Sequence, residues 1–524
     1  MRRSVLAVLA AGLLLAGLAL ALLRQGGLHT DHPNVLIIVW DTVRADHLSL
    51  YGYDRPTTPK LVKRARSGLV FERAISPAIW TPPSHASMFT GYSPPHHGVK
   101  ATYKWLDGHH VTLAEWLGEQ GYETYAFSAN PYLSTDTNLV QGFGQVDNTF
   151  QGDWKKAARK VTRAKLIDED ASTDISPRWK PANGQRGSGS THPYKDGGPV
   201  AHEAFVKWLE ARAEPERPWL AYLNMMEAHI PRIPSIESRK ALQSDAEIVT
   251  ALVTDVAQVN LLAYTFGQRS YSEEQLTAIR GTYDAALRDL DTITHTLLSD
   301  LEARGLLDDT IVVLTSDHGE NLGEHGMFGH KFGVWDTLVH VPLVIWYPDH
   351  LEPGRVPFPV TNLDLFHTLL TLAGVTPPDT GFEGRGDLIA QTRALPVFSF
   401  LMETTPVSIN RMSKLYNLGD LSRWFATYRS VEDSGWKLIE VSDGDRQLYQ
   451  VNADPGELRD VIDEHADEAA RLQSLLDAHI ASITPYDPAL RTELDQSPEI
   501  APSTQGMLEQ LGYLDGGGGP NDDE

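Results

Sequence analysis

The run Asn34-Val35-Leu36-Ile37-Ile38-Val39-Trp40, followed at once by Asp41-Thr42-Val43-Arg44, decides the fold. Five consecutive aliphatic residues with no polar alternation describe a strand buried on both faces, and such strands belong to parallel sheets covered by helices. Similar runs recur at 124–128, 219–225 and 310–314, separated by helical stretches near 112–121, 201–213 and 283–304. This alternation predicts an α/β protein with a largely parallel central sheet between helical layers. Each run ends in polar residues: Asp41, Asn130, Glu227-Ala228-His229, and Asp317-His318. Ligands of open α/β sheets bind at the carboxyl ends of strands, so residues far apart in sequence are expected to converge there. Taken singly, Asp41 reads as a turn former and His229 as a satisfied loop histidine.

A second stretch, Trp80-Thr81-Pro82-Pro83-Ser84-His85-Ala86-Ser87-Met88-Phe89-Thr90-Gly91, reads as a short helix. Its prolines suit a first turn and Gly91 suits its end, which puts Thr81 at the N-cap, where backbone N–H groups and the helix dipole favour a negatively charged oxygen. An isolated T-P-P-S is only a cap; the Asp41 and Asp317-His318 stretches give it chemical company. Asp41, Asp317, His318 and the Thr81 oxygen form a hard to borderline ligand set for one divalent ion: Zn, Mn, Ca or Mg. Asp291 and His295 also have metal-pair spacing, but Leu287, Leu290 and Leu298 make that helix a core element and the metal reading is rejected.

The Thr81 segment resembles the active-site signature of the sulfatase family, within the alkaline phosphatase superfamily. Pro83, Ser84, Phe89, Thr90 and Gly91 match in register; Thr81 stands at the modifiable Cys/Ser position and His85 replaces the arginine. The resemblance runs from Asn34 almost to the end and includes Gly329-His330-Lys331, Asn362-Leu363-Asp364 and Asp454-Pro455-Gly456-Glu457. It implies an alkaline phosphatase-like α/β/α sandwich with a smaller C-terminal α+β domain. It also implies a substrate oxyanion held by Lys331 and contact of the transferred group with His229. Position adds further candidates: Asn130 and His85 as substrate contacts, Lys100 as a substrate contact or a solvated side chain, and His330, beside Lys331, as a substrate contact, acid or base. Relatives often carry a second acidic residue after the first; Thr42 lacks it.

The implied organisation is an anchor or signal segment at 1–27, a catalytic domain at 33–385 with an insertion near 151–200, a C-terminal subdomain at 386–484, and a polar tail at 485–524. Within the subdomain, strands are expected at 395–402, 426–430 and 436–441 and a helix at 465–481; a short helix is expected at 507–514. Inside the insertion, Lys155, Lys156, Arg159, Lys160 and Arg163 fall on one helical stripe, read as a solvated face. The apolar run 5–23 between Arg2-Arg3 and Arg24 is about long enough to span a bilayer. A cleaved signal peptide is the alternative, given Ala19-Leu20-Ala21. Either way the rest is expected in the periplasm or outside the cell, tethered to the inner membrane if uncleaved. Acidic residues exceed basic ones, 69 against 45, for a net charge of −24, which argues against nucleic acid as a partner. With no cysteine there are no disulfides and no thiolate sites.

Sulfatases convert their Cys or Ser to formylglycine, and threonine cannot become that aldehyde because its β-carbon carries a methyl group. No formylglycine is therefore expected, and direct attack by Thr81 remains, as in the phosphodiesterases and phosphotransferases of the superfamily that use threonine with an Asp, Thr, Asp, His metal set. Three readings follow: a metal-dependent hydrolase or transferase of small-molecule or envelope-derived phosphoesters, a sulfuric ester hydrolase working through the same site, and an inactive envelope binding module.

Overall fold

The first strand, β1 (Asn34–Trp40), lies in the middle of an eight-stranded sheet. The other strands are β2 (Leu69–Ile75), β3 (Glu123–Ser128), β4 (Gln145–Asn148), β5 (Trp219–Met225), β6 (Thr310–Thr315), β7 (His340–Trp346) and β8 (Gly354–Thr361). The order across the sheet is β8-β2-β7-β6-β1-β5-β3-β4, and all neighbours run parallel except where β7 is antiparallel to β2 and β6. These relations come from a computed structural model, which describes residues 32–165, 167–168, 173–174, 195–377, 383, 386–491, 500 and 502–510. The N-terminal anchor or signal segment lies outside the described residues. Among them no single helix is long and apolar enough to cross a membrane; one bent pair, Asp245–Val253 with Gln258–Thr265, has the length and composition together.

The unbroken apolar character of β1 follows from its two covered faces. Leu36, Ile38 and Trp40 pack into one core with helices Gly198–Ala211 and Glu273–Ala303, while Val35, Ile37 and Val39 pack into the opposite core with helices Thr81–Thr90, Leu113–Glu119 and Leu365–Leu372. Burying such a side chain contributes about 1.5–3 kcal/mol, so a polar residue inside this run would be costly on either face. Helix Glu273–Ala303 begins ten residues before the expected 283, because Ser272 and Gln275 form a capping box. Asp291 on that helix accepts the backbone N–H groups of Lys60 (3.0 Å) and Leu61 (2.7 Å), which is a structural role.

A second sheet, β9 (Val397–Leu401), β10 (Tyr428–Asp433), β11 (Trp436–Val441) and β12 (Arg446–Tyr449), is antiparallel throughout and packs against helix Ala466–Ser482 through Leu472 and Leu476. Buried ion pairs join the sheets: Arg73 of β2 with Glu432 of β10, and Asp336 with Lys437 of β11 (2.8 Å). In the inserted stretch, helix Gly152–Ala164 leaves Lys156, Arg159, Lys160 and Arg163 exposed, as a solvated face requires. The tail is held more firmly than its composition suggests. The Tyr486 hydroxyl donates to Asp107 (2.6 Å), and helix Pro502–Gln510 sinks Met507 and Leu508 into the core, starting earlier than the expected 507–514.

Candidate active site

Register builds the site. Val39 lies opposite Asn224 of β5 and Thr315 of β6, so Asp41 and Asp317 leave the sheet at the same level. Thr42 makes the turn that follows with φ 63°, a conformation costly for a β-branched residue, and its N–H donates to Asp317 Oδ1 (3.2 Å). The same oxygen accepts the His318 N–H (2.9 Å). Asp317's carbonyl accepts the hydroxyls of Ser76 (2.5 Å) and Ser84 (2.6 Å), which ties the strand end to the helix carrying Thr81.

Thr81 is the first residue of its helix; the N-cap is Trp80, extended at φ −154° and ψ 163°, whose carbonyl takes the Ser84 N–H. The expectation that Thr81 caps the helix is thus corrected by one position. As Thr81 is not the cap, its hydroxyl makes no capping bond and faces the carboxylate cluster instead. It lies 3.2 Å from Asn130 Nδ2 and 3.5 Å from His318 Nε2. Gly91 ends the helix at φ 72°, in the left-handed conformation that glycine adopts without strain.

Asp41, Asp317 and His318 are fully buried, and one ligand atom from each lies within 4.8 Å of the others. Asp41 Oδ2 accepts Asn130 Nδ2 (2.9 Å) and Asn224 Nδ2 (3.2 Å), whereas Asp41 Oδ1 and Asp317 Oδ2 are buried with no hydrogen-bond partner. Burial, reinforced by the Asp317 charge, pushes the Asp41 carboxyl up to about 7, and burial does the same to Asp317 against the N–H groups it accepts. Two orphaned carboxylate oxygens in a dry site beside an imidazole are what a divalent cation satisfies, so these residues fit one such ion. The tautomer of His318 agrees. Its Nδ1 donates to the Gly319 carbonyl (2.9 Å), burial holds the ring neutral, and Nε2 is left with its lone pair toward Thr81 and the two carboxylates, where a cation would sit.

The remaining expected residues fall into different places. His229 and His330 are buried, with ring centroids 5.4 Å apart, and His330 is 4.5 Å from His318. Burial drives both imidazoles well below their ordinary pKa, so neither brings positive charge; of the groups expected to neutralise a transferred anion, only Lys331 carries one. Lys331 is half-buried in a cleft with Trp80, Tyr132, His330 and Thr404. His85 is corrected from a substrate contact to a support: its Nδ1 donates to the Thr81 carbonyl (2.8 Å) and its Nε2 accepts the Tyr222 hydroxyl (2.6 Å), occupying both nitrogens. Burial pulls His85 down to about 3, so it is also no cation in place of the family's arginine. Lys100 is exposed, as its solvated reading expects, and pairs through its backbone with Tyr103.

Sequence reading missed Asn224 and Tyr222, which lie inside the buried strand β5 and look there like core residues. Asn224 supports the site twice, donating to Asp41 and accepting the Asn130 N–H (3.2 Å). A carboxamide within an otherwise apolar buried strand was the available signal, because a buried amide needs partners.

The sulfatase family model matches residues 33–375, about two-thirds of the chain. The chain belongs to the sulfatase family. The model for the C-terminal region of N-sulphoglucosamine sulphohydrolase matches residues 323–484. Among relatives, an ulvan-active sulfatase of Formosa agariphila is 25% identical over 460 residues, covering 86% of this chain and 80% of the relative. Arylsulfatase K of Bos taurus is 25% identical over 495 residues, covering 88% and 84%. The structure of the phosphonate monoester hydrolase of Agrobacterium radiobacter superposes with a TM-score of 0.64 at 23% identity, covering 86% of this chain and 95% of that one. This sulfatase-family protein is a hydrolase of the alkaline phosphatase superfamily, with the superfamily's α/β sandwich and a C-terminal antiparallel sheet.

Proposed function

We propose that this hydrolase uses Thr81 as a direct nucleophile on phosphoesters: its oxygen bonds the phosphorus as the P–O bond to the ester's alcohol breaks and the alcohol leaves, and water or another acceptor then cleaves the phosphothreonine. The observation that carries the reading is the placement of the Thr81 hydroxyl, at the start of a buried helix, between the Asn130 amide and the His318 acceptor nitrogen. Asp41, Asp317 and His318 would hold one divalent ion, which when bound supplies positive charge that favours ionised oxygen nearby. Asn130 spends one N–H on Asp41 and the other on Thr81, so it fixes the hydroxyl and stabilises the oxygen as it loses its proton. Its own amide oxygen is held by the Tyr132 N–H (3.0 Å), so the amide cannot flip. His318 Nε2 faces the Thr81 hydroxyl, so an ion held by His318 would favour ionisation of that oxygen. Lys331, at the cleft, draws in the anionic ester and balances the charge on the transferred group.

The chemistry favours phosphorus because formylglycine is closed to threonine, which leaves direct attack by the Thr81 oxygen. Sulfate esters are the second reading, supported by the names of the relatives, an ulvan-active sulfatase and arylsulfatase K. The setting we propose is the periplasm or cell exterior, with the 5–23 segment as the tether. Turnover of a matched panel of phosphate mono- and diesters, phosphonates and sulfates tests the reading. Phosphoesters should lead; sulfates turned over faster than all of them would overturn it.

A further inference from the structure

Immediately past His229 the chain forms one wall of a cavity of ≈ 60 Å³ that the Thr81 chemistry does not use. Ile230, Leu252, Leu261 and Ile279 make it apolar, and Arg232 and Arg239 reach it from two sides. Arg232 is accounted for: it pairs with the buried Glu320 and lies over the Tyr283 ring. Arg239 is not. The residue is 2% exposed, its Nε makes a long bond to the Pro234 carbonyl (3.4 Å), and its Nη1 is buried with no hydrogen-bond partner among the described residues. The carboxylate whose field it feels, Asp289, is already taken by the Ser235 N–H (2.8 Å), the hydroxyls of Ser235 and Ser238 (2.6 Å each) and Lys165 (3.3 Å).

A buried guanidinium whose one described carboxylate neighbour is already engaged is costly, because its hydration is lost and its Nη1 gains no hydrogen bond among the described residues. That cost is removed by an anion that enters the cavity, whose other walls are mostly apolar, with Thr254 and Thr282 among them. Its volume limits the hydrocarbon to a few carbons. We propose that this cavity binds a small organic acid, a carboxylate with a short apolar chain, with the acid on Arg239 and the chain against Leu252, Leu261 and Ile279. Two sources share this chemistry: a free acid acting as an effector, or the acid end of the leaving group of a substrate held at Thr81. The cavity abuts the loop that carries His229, so either source acts on the same element. Only the second source rests on the Thr81 reading.

Sodium butanoate is the probe, with sodium chloride at equal ionic strength and butanamide as controls, on the full chain in detergent. Binding is read by calorimetry and thermal shift, so no turnover is needed and failure of the Thr81 reading leaves the result interpretable. Butanoate should bind and raise the melting temperature, and butanamide should not. Arg239→Gln should weaken butanoate by about 10–100-fold, the loss of one charge-assisted pair. Leu252→Phe, which fills the cavity and leaves the charge in place, should abolish binding; Arg239→Lys should retain part of it. In turnover, a substrate-end site makes butanoate competitive only against esters whose leaving group carries an acid, whereas an effector site changes kcat for esters of every leaving group; both results support the cavity. No binding to the wild type, equal binding of butanamide, or unchanged binding in both Arg239→Gln and Leu252→Phe would overturn it.

Discussion

Replacing Asp41 by Asn should stabilise the metal-free protein while destroying its metal site. In the metal-free fold Asp41 and Asp317 are both held at about 7, against an ordinary value near 3.8. A carboxyl whose folded pKa is raised binds more protons folded than unfolded, so its stability contribution is complete below about pH 4 and is lost as pH rises through about 7. A shift of roughly three units corresponds to on the order of 4 kcal/mol per group, a ceiling because the two charges interact. Asn mimics the protonated acid: its oxygen still accepts from Asn130 and Asn224, and its amide faces Asp317 without repulsion. Thermal unfolding in chelator should therefore show Asp41→Asn raised by a few degrees over wild type at pH 8 and nearly level with it at pH 5. Added divalent metal should stabilise the wild type at pH 8 and leave the variant unmoved. If Asp41→Asn is destabilised equally at both pH values, the buried carboxylates are not the strained pair the geometry describes.

Asn130→Ala should lower kcat by about 10²–10³-fold, the usual cost of one preorganised donor at a developing negative oxygen, with KM little changed; steady-state kinetics on a phosphoester checks this. His85→Phe removes the bonds to the Thr81 carbonyl and to Tyr222 and should lower kcat without changing KM. An unaltered kcat would mean His85 does not position Thr81. Lys331→Ala should raise KM for anionic esters more than it lowers kcat, and its effect should shrink at high salt, as expected of a charge at a solvent-accessible cleft.

The sheet and the convergence of Asp41, Asp317 and His318 were legible because each rests on a local pattern. An unbroken aliphatic run marks a strand covered on both faces, and a carboxylate just after it marks the edge where ligands gather; Asp41 and Asp317 carried both signs. What was not legible depends on contacts that the local sequence does not encode. His85 sits in register with an arginine and suggested a substrate contact, yet helix geometry turns it inward onto Thr81's own carbonyl and Tyr222. Thr81 was placed one position early because two prolines suit either frame, and only the Trp80 carbonyl bond to Ser84 fixes it. The neutrality of His229 and His330 is likewise a product of burial, which no residue pattern announces.

Rapid quenching during phosphoester turnover, followed by peptide mass spectrometry, tests the central claim most directly. The account predicts a phosphate on the peptide containing Thr81, at that hydroxyl, and its absence in a Thr81→Ala variant whose activity has fallen by about 10³-fold or more. No covalent adduct under any quench condition, together with a Thr81→Ala variant that still turns over substrate, would contradict it.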